Sequence, residues 1–187
     1  GLLIEVASLI RDDPEGRQDT PVDDLSNIET HHFTGQELDP QIYKLSLMNT
    51  ALHGMADAEI ERGDSLGDPK FTDNGDLEKF EYVVANPPFS QPWPKDSYKD
   101  SGDQYSRFNW HEKLPRKNRG DYAFLMHMFG HLEDDGIMAS VVPHGVLYRS
   151  GEQRYRDYLL ENDFVEAVVS LPGKMFESTS APTAILI

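Results

Sequence analysis

An α/β fold with a mostly parallel sheet is predicted for this chain of 187 residues. Helical segments, marked by apolar residues at a spacing of about 3.6, alternate with short runs that are rich in β-branched and aromatic residues. The helical connections between these runs are roughly ten or more residues long, as crossovers between parallel strands require. Ligands of such sheets bind beyond the carboxyl ends of the strands, so polar residues at those ends are the first candidates for a functional site.

The composition is that of a folded chain with a large surplus of acid. Hydrophobic residues make up 38% and aromatic residues 10%, which is too much for a disordered chain. Lys and Arg number 17 against 33 Asp and Glu, so the formal net charge is −16, and composition alone argues against a DNA-binding protein. No apolar run approaches the roughly 18 residues that span a membrane. The absence of cysteine excludes a disulfide scaffold and thiolate chemistry.

The first third of the chain predicts a strand between two helices. Apolar residues at helical spacing indicate a helix over residues 1–11, and a polar, acidic loop follows over residues 12–30. A β-compatible run over residues 31–38 leads to Asp39-Pro40, which predicts a helix start because Asp caps the first amides and Pro suits the first helical position. The apolar stripe of this amphipathic helix is formed by Ile42, Leu45, Met48 and Leu52.

Two further strands are predicted in the middle of the chain. Residues 58–64 form the first, and residues 65–79 are a connection rich in Gly and Asp. The run FEYVVA over residues 80–85 predicts a stronger, buried strand because β-branched and aromatic residues dominate it. It ends abruptly at residues 86–89, where two prolines lack the N–H that a strand ladder needs. A polar segment without clear periodicity occupies residues 90–119.

The last third predicts two helices and three strands. Asp121 is expected to cap a helix that runs from Tyr122 to about Leu132 and is apolar on most faces. The remaining elements are an acidic turn at 133–136, an apolar strand over 137–143, an amphipathic helix near 151–161, and strands over 164–171 and 183–187.

Two of the strand ends carry acidic residues that suit a nucleotide. The first strand ends in Gln36-Glu37-Leu38, where a carboxylate can accept hydrogen bonds from both hydroxyls of a ribose. Glu37 equally suits the N-terminal region of the next helix, because a negative charge there favours the helix dipole. The second strand ends in Gly63-Asp64-Ser65, where the Asp64 carboxylate suits either an adenine amine or an ordinary Gly-Asp turn. The residues alone leave both pairs of alternatives open.

The third strand ends in Asn86-Pro87-Pro88-Phe89, the sharpest feature of the sequence. The two prolines make the loop rigid, so that it presents the Asn86 side chain and the nearby carbonyls. The carbonyls of Asn86 and Pro87 form a pair of acceptors that suits a planar –NH₂ group, and Phe89 can stack on the base that carries it. A plain strand-terminating turn is the alternative. The position at the ligand edge of a sheet favours the functional interpretation.

The segment over residues 90–119 is long for a loop in a compact domain, and such loops are usually functional or disordered. Its aromatic residues are Trp93, Tyr98, Tyr105, Phe108 and Trp110. Its basic cluster is formed by Lys113, Arg116, Lys117 and Arg119. This order suits a loop that closes on flipped DNA and contacts phosphate, and it suits a mobile, solvated loop equally well.

His127 and His131 lie four residues apart on a predicted helix, a spacing that can hold a metal. No carboxylate or third histidine joins them in a recognisable pattern, so they are interpreted as helix-packing residues and no metal site is predicted.

The loop Asn86-Pro87-Pro88-Phe89 resembles the Asn-Pro-Pro-aromatic motif of S-adenosylmethionine-dependent amino-methyltransferases. Other segments resemble the modification subunits of type I restriction–modification systems, which are N6-adenine DNA methyltransferases. In chain order they are GQELDP (35–40), LMNTALHG (47–54), GDSL (63–66), DYAFLMHM (121–128), VVPHGVLYRSG (141–151) and LPGKMFESTSAPTAILI (171–187). The resemblance covers nearly the whole chain and implies a Rossmann-like methyltransferase fold, with residues 1–187 as a partial catalytic domain that lacks its first strand.

The resemblance also implies that the chain binds S-adenosylmethionine as its cofactor. Glu37 would hold the ribose hydroxyls and Asp64 would contact the adenine, with Leu38 and Ser65 beside them. The family carries a glycine-rich loop for the methionine end of the cofactor, and Gly1 is the residue of this chain that matches its final glycine.

For the substrate, the resemblance implies a flipped adenine in DNA. Asn86 and Pro87 would hold N6, Phe89 would stack on the base, and Pro88 completes the motif. The implied partners are DNA and a separate specificity subunit that reads the DNA sequence, with a restriction subunit as a further candidate. A cytoplasmic location follows from the same resemblance.

Two alternatives to this function are open. The same Asn-Pro-Pro chemistry serves amino-methylation of a protein glutamine or an RNA base. The incomplete glycine loop favours a catalytically inactive fragment that acts only as an interaction module.

Overall fold

The structure of the protein, a computed structural model, describes residues 2–12, 32–99, 102–176 and 181–187. The chain divides into two compact units, Gly1–Phe71 and Thr72–Ile187, and each has its own sheet. Helices alternate with parallel strands in both units, which confirms the predicted α/β class. Within these ranges no helix has the length and apolarity to cross a membrane.

The first unit is built around two parallel strands. In chain order it contains helix α1 (Leu2–Asp12), strand β1 (Thr34–Glu37), helix α2 (Pro40–Leu52) and strand β2 (Glu59–Arg62). Thr34 lies opposite Glu59 and Glu37 lies opposite Arg62, so both strands point their carboxyl ends in the same direction. Helix α2 is the crossover and packs on both strands. The predicted order of elements is confirmed, and the predicted loop lies outside the described residues from position 13 to 31.

Helix α2 begins as predicted but buries a different face. The Asp39 carboxylate accepts hydrogen bonds from the backbone N–H groups of Ile42 and Gln41, and these bonds lower the pKa of Asp39. The residues of the predicted apolar stripe are 48–79% exposed, at Ile42, Leu45, Met48 and Leu52. The buried position is Thr50, whose hydroxyl bonds back to the carbonyls of Ser46 and Leu47 and so needs no other partner.

The second unit holds a mixed sheet of four strands. A short hairpin precedes it, formed by β3 (Thr72–Asp73) and β4 (Asp76–Leu77). The sheet strands are β5 (Phe80–Ala85), β6 (Leu132–Pro143), β7 (Val168–Ser170) and β8 (Thr183–Leu186). They lie in the order β5-β6-β8-β7, in which β5 and β6 are parallel and β8 is antiparallel to both of its neighbours. The predicted parallel pairing is therefore found between β5 and β6. The sheet is mixed because β8 pairs antiparallel with both β6 and β7.

The β3–β4 hairpin lies where the sequence analysis predicts only a connection. Asn74 and Gly75 have positive φ angles of 50° and 95°, which is the backbone conformation of a type I′ hairpin turn. An Asn-Gly pair is the local signal for such a turn, so this element could have been predicted.

Two predictions about the sheet strands are wrong. Strand β5 is not buried: Tyr82 is 40% exposed, because β5 lies at the sheet edge and pairs with β6 alone among the described strands. Residues 133–136 are part of β6 and form a bulge instead of a turn. The step from Phe80 to Tyr82 on β5 faces the longer step from Leu132 to Ile137 on β6. A bulge accommodates the extra acidic residues in solvent without ending the strand.

Helix α3 (Asp121–Gly130) supplies much of the core of the second unit. Tyr122, Leu125 and Met126 are fully buried, as the apolar pattern predicts. The helix ends at Gly130, and Leu132 already belongs to β6. Two more helices follow β6, namely α4 (Gly145–Tyr148) and α5 (Gln153–Glu161). The last helix confirms its prediction, whereas the strand expected over residues 164–171 shortens to β7.

The core position of Leu125 predicts a large loss of stability on truncation. Leu125 is 0% exposed, so we expect Leu125→Ala to lower the free energy of unfolding by about 2–5 kcal/mol, from lost apolar burial and the cavity left behind. Leu160→Ala on α5 is the control, because Leu160 is 61% exposed and its truncation should cost less than about 0.5 kcal/mol. Urea denaturation of both variants measures the difference, and equal losses would contradict the assigned core.

Candidate functional site

The carboxyl edge of the first unit brings together the residues predicted to bind the cofactor. Glu37 is the last residue of β1, and the parallel register with β2 places Asp64 at the same edge, two residues beyond Arg62. Leu38 is exposed next to Glu37, and Ser65 is half-buried next to Asp64. Gly1 lies outside the described residues. The structure thus assembles two acidic side chains at one edge of a parallel pair, where a nucleotide is expected.

Both carboxylates also make the local contacts that the sequence left open. One oxygen of Glu37, Oε1, accepts a hydrogen bond of 2.9 Å from the backbone N–H of Asp39 at the start of α2. Asp64 Oδ1 accepts one of 3.0 Å from the N–H of Leu66 and so forms a turn. These bonds orient both side chains and engage Oε1 of Glu37 and Oδ1 of Asp64. The other oxygen of Asp64, Oδ2, lies against Gly67, where an added Cβ would stand 2.8 Å from it.

A glutamine that the sequence analysis did not single out organises this edge. The Gln36 side chain donates to the carbonyl of Asp68 (2.9 Å) and accepts from the N–H of Lys70 (3.0 Å), which ties the loop after β2 to β1. A Cβ atom at Gly63 would stand 2.8 Å from the Gln36 amide nitrogen, so glycine permits the Gln36 side chain to lie where it makes these two bonds. No local pattern could identify Gln36, because its partners lie more than 30 residues away.

The Asn-Pro-Pro-Phe loop leaves the sheet at the carboxyl end of β5. Ala85 pairs with Ser140 of β6, and Asn86 is the next residue along the chain. The Asn86 side chain is exposed and has no hydrogen-bond partner in the described part of the protein. Phe89 is half-buried and packs edge-on against Phe176, with 6.3 Å between the ring centroids. The loop therefore presents a free amide next to an anchored aromatic ring.

Asp121 does not cap α3, contrary to the prediction. The cap position is Gly120, and the Asp121 carboxylate turns away from the helix amides. It accepts hydrogen bonds from the N–H (2.6 Å) and hydroxyl (3.2 Å) of Ser90, and it forms an ion pair with Arg149 (2.9 Å). The sequence could not reveal this role, because Asp121 is separated from Ser90 by 31 residues.

The long segment after the motif is anchored by buried aromatic residues, although many of its other described residues are exposed. Trp93, Phe108 and Trp110 are buried. The ring centroids of Trp93 and Phe108 lie 5.0 Å apart, and Trp110 stacks on Tyr158 at 5.2 Å. These three rings are core residues, so they are not available to stack on a flipped base.

A buried ion pair stabilises the same segment. Arg107 and Asp103 have side chains that are 1% and 3% exposed, and Arg107 Nη2 lies 2.7 Å from Asp103 Oδ1. The guanidinium also lies 4.7 Å from the centre of the Phe108 ring and 5.5 Å from that of Tyr105. Pairing and aromatic contacts together compensate the desolvation of both charges.

The basic cluster lies next to the motif loop because two stretches of backbone are joined. The N–H of Trp93 donates to the carbonyl of Lys117 (3.0 Å), and the indole N–H donates to the carbonyl of Arg116 (3.0 Å). The N–H of Gly120 donates to the carbonyl of Gln91 at 2.8 Å. The segment that follows the Asn-Pro-Pro-Phe loop is thereby held against residues 116–120.

The four basic residues differ in how much of their charge is compensated. Lys117 pairs with Asp96, and hydrogen bonds from Lys117 and Lys99 lower the pKa of Asp96 to about 2. Lys113 and Arg116 are exposed and have no carboxylate within 4.0 Å in the described structure. Arg119 is half-buried.

Lys113 and Arg116 line a groove in the surface of the second unit, together with other residues. This groove has a volume of about 710 Å³. The cations that line it are Lys95, Lys99, Lys113, Arg116 and Arg154. Two acidic residues also line the groove. Asp103 is paired with Arg107, and Glu112 has no paired cation in the described structure. We call this surface the basic groove, and its charge is opposite to the net charge of the chain.

His127 and His131 are packing residues, as interpreted from the sequence. Arg107 Nη1 donates to Nδ1 of His127 (3.1 Å), and His131 Nδ1 donates to the carbonyl of Glu78 (2.7 Å). Burial lowers the pKa of both histidines, and for His127, with the positive charges of His131 and Arg107 adding to it, to about 3. No group of three or more potential metal-ligating side chains occurs within the described ranges.

Comparison with known proteins identifies close similarity to methylases. Residues 1–187 match the family model described as N-6 DNA Methylase. The chain is 35% identical to the type I restriction enzyme MpnII methylase subunit of Mycoplasma pneumoniae, across 83% of this chain and 30% of that protein. It is 31% identical to the HindI methylase subunit of Haemophilus influenzae, across 85% of this chain and 34% of that protein. The chain thus spans about a third of the length of the curated relatives it matches.

Solved structures support the same relationship. A type I restriction–modification methyltransferase subunit from Streptococcus thermophilus matches 83% of this chain and 33% of its own, with a TM-score of 0.74 and 36% identity. A putative class I S-adenosylmethionine-dependent methyltransferase from Listeria monocytogenes matches 83% of this chain and 43% of its own, with a TM-score of 0.64 and 17% identity. The second match bears on the fold alone, and both give the chain the fold of class I S-adenosylmethionine-dependent methyltransferases.

The depressed pKa of His127 predicts that stability falls in mild acid. The unfolded chain takes up a proton at His127 below pH 6.5, whereas the folded chain does so only near pH 3. The contribution of His127 to stability is therefore complete above pH 6.5 and is lost as the pH falls towards 3. We expect His127→Gln to reduce the loss of unfolding free energy between pH 7 and 5 by about 1–2 kcal/mol.

Urea denaturation across this pH range measures the effect. His111→Gln is the control, because it makes the same substitution at an exposed histidine of the same unit. Identical pH dependence in His127→Gln and the wild type would contradict the assignment.

Proposed function

The chain belongs to the N-6 DNA methylase family, and on this premise we propose that it transfers a methyl group from S-adenosylmethionine to N6 of adenine in DNA. The observation that supports this most directly is the exposed amide of Asn86, which no described residue hydrogen-bonds, on an Asn-Pro-Pro-Phe loop at the carboxyl end of β5. The proposal treats residues 1–187 as part of one catalytic domain of a type I modification subunit. A cytoplasmic location, where DNA is the substrate, is part of the same proposal.

The edge formed by Glu37 and Asp64 fits the nucleoside part of the cofactor. The Glu37 carboxylate, at the end of β1, holds the Asp39 amide and would accept hydrogen bonds from the hydroxyls of a ribose. Asp64 is held in its turn at the same edge, where its carboxylate would accept a hydrogen bond from an adenine amine. Leu38 and Ser65 would flank these two contacts, and Gly1 would lie at the methionine end. When bound, S-adenosylmethionine supplies an electrophilic methyl group.

The motif loop supplies the contacts to the target base. The Asn86 side-chain carbonyl and the Pro87 backbone carbonyl accept the two N–H bonds of the adenine N6 amine, while Pro87 and Pro88 restrict the backbone that carries them. Phe89 stacks on the base, and its contact with Phe176 limits the movement of its ring.

Catalysis then depends on position and on charge. Bound S-adenosylmethionine would supply the methyl group, and the Asn86 and Pro87 carbonyls would position the N6 amine and stabilise the positive charge that develops on it during transfer. A proton leaves N6 afterwards. This chemistry requires no metal and no covalent enzyme intermediate.

The proposed partners are DNA, a specificity subunit that reads its sequence, and a restriction subunit. The basic groove offers the phosphate contacts of this chain through Lys113 and Arg116, and Lys117 and Arg119 extend the basic surface. Because the basic segment is tied by its backbone to the residues after the motif, phosphate contacts there would guide the target base towards Asn86.

The proposed role of Asn86 predicts that its removal abolishes methyl transfer but leaves the binding of S-adenosylmethionine unchanged. We expect Asn86→Ala in the complete reading frame, co-expressed with its specificity subunit, to lower N6-methyladenine in host DNA at least 100-fold. The dissociation constant for S-adenosylmethionine should stay within about twofold, because Asn86 lies outside the cofactor edge. Asn162→Ala, which removes an exposed amide elsewhere in the second unit, is the matched control. Unchanged methylation in Asn86→Ala would refute the mechanism.

The basic groove predicts a contribution to DNA binding that does not depend on sequence. We expect Lys113→Ala and Arg116→Ala to weaken binding of specific and non-specific DNA alike, and each to reduce the slope of log K against log salt by about 1. Lys44→Ala on α2 is the control, because Lys44 is exposed but lies in the first unit. An unchanged salt slope in both groove variants would exclude this surface as a phosphate contact.

A further inference from the structure

Ser90, the residue that follows the Asn-Pro-Pro-Phe motif, has an unusual backbone. Its φ angle is 51°, in the left-handed region that residues with a side chain rarely occupy. Such a conformation persists only where the surroundings hold it in place. Ser90 directly follows Phe89, so the contacts that hold its backbone also act on the Asn-Pro-Pro-Phe loop.

The Asp121 carboxylate makes the contacts that hold it. Its side chain is 2% exposed, and it accepts hydrogen bonds from the Ser90 N–H at 2.6 Å and from the Ser90 hydroxyl at 3.2 Å. A bond from a backbone N–H to a buried carboxylate is strong, because the charge assists it and water does not compete. It fixes the orientation of the peptide between Phe89 and Ser90.

The Asp121 carboxylate is itself held by Arg149, whose guanidinium has room because residue 145 is glycine. Arg149 lies 2.9 Å from Asp121 and 3.5 Å from Glu152, so its guanidinium balances two buried acids. The guanidinium lies over Gly145, where an added Cβ would come within 2.3 Å of it. Glycine at this position therefore permits the placement of Arg149, and Arg149 in turn orients Asp121.

The motif loop is thereby fixed at both ends. Its start is set by the pairing of Ala85 with Ser140, and its end by Asp121 and by the bond from the Gly120 N–H to the Gln91 carbonyl at 2.8 Å. Between these anchors the two prolines leave little freedom. The conformation of Ser90 consequently determines where the loop directs Asn86 and Phe89.

We propose that Asp121 is a positioning residue, which holds Ser90 in the left-handed conformation and thereby directs the Asn-Pro-Pro-Phe loop at the target amine. Asp121 touches neither substrate nor cofactor in this scheme. The proposal rests on the proposed function for its kinetic consequence, but its structural consequence for the loop can be measured independently.

The decisive comparison uses two buried side chains of the same unit. Asp121→Asn removes the charge that holds Ser90. Leu159→Ala is the control, because Leu159 on α5 is 4% exposed, so its truncation also lowers stability, but it belongs neither to the motif loop nor to the basic groove. Both variants should lose stability, so measurements are made at a temperature at which circular dichroism and thermal unfolding show both to be folded.

In the complete protein with its specificity subunit and DNA, we expect Asp121→Asn to slow single-turnover N6 methylation about tenfold, since the left-handed conformation of Ser90 then loses its support. The dissociation constant for S-adenosylmethionine should change less than twofold. Leu159→Ala should leave the single-turnover rate within twofold of the wild type. Equal rates in the two variants would overturn the proposal.

A second substitution separates positioning from general stability. Glycine adopts positive φ at no steric cost, so Ser90→Gly added to Asp121→Asn should restore the methylation rate about threefold or more, although it restores no buried contact. A merely structural role of Asp121 predicts no such rescue. Failure of Ser90→Gly to raise the rate would overturn the proposal.

Amide hydrogen exchange tests the loop without any methylation assay. Residues 86–92 contain three prolines, so a peptide over this range reports chiefly on the amides around Ser90. We expect faster exchange in Asp121→Asn and unchanged exchange in Leu159→Ala. If the wild type showed no methylation, the proposed function would fail while this measurement still decided the role of Asp121; equal exchange in both variants would refute it.

Discussion

A carboxylate buried at the first residue of α3 needs hydrogen-bond donors and an opposite charge, and Ser90 and Arg149 supply them to Asp121. Ser90 precedes this helix in the chain and lies in the loop after β5, whereas Arg149 follows the helix and lies at the end of α4. The same interaction that compensates a buried charge therefore joins the Asn-Pro-Pro-Phe loop, helix α3 and the end of helix α4 in the second unit. The positive φ of Ser90 is tolerated as a consequence of this arrangement.

The distribution of charge matters more for function than its sum. A net charge of −16 argues against a DNA-binding chain, yet the second unit gathers five cations around one groove. Electrostatic attraction of phosphate decays over about 10 Å at moderate salt, so a local concentration of Lys and Arg acts on a bound strand while distant acids are screened. The large acid surplus is thus compatible with the proposed DNA substrate, with further phosphate contacts assigned to a partner subunit.

Features that depend on neighbouring residues along the chain were predictable. The Asp39 cap, the bounds of β5 and the buried face of α3 all follow from contacts within one element or from its own apolar pattern. The exposed stripe of α2, the edge position of β5 and the bulge of β6 were not predictable in the same way. Each of these depends on which surface packs against which, and a periodic pattern identifies an apolar face without identifying what covers it.

For the candidate site, the sequence by itself determined which residues carry the proposed chemistry, namely the carboxylates at two strand ends and the Asn-Pro-Pro-Phe loop. It also carried the family resemblance that the comparisons confirm. These are properties of residue type and spacing, which the chain carries in any conformation. Only the tertiary structure decided that the aromatic residues Trp93, Phe108 and Trp110 belong to the core, and that Asp121 supports Ser90 instead of capping a helix. Buried polar groups must find partners wherever the fold supplies them, and for Asp121 and Gln36 those partners lie about 30 residues away along the chain.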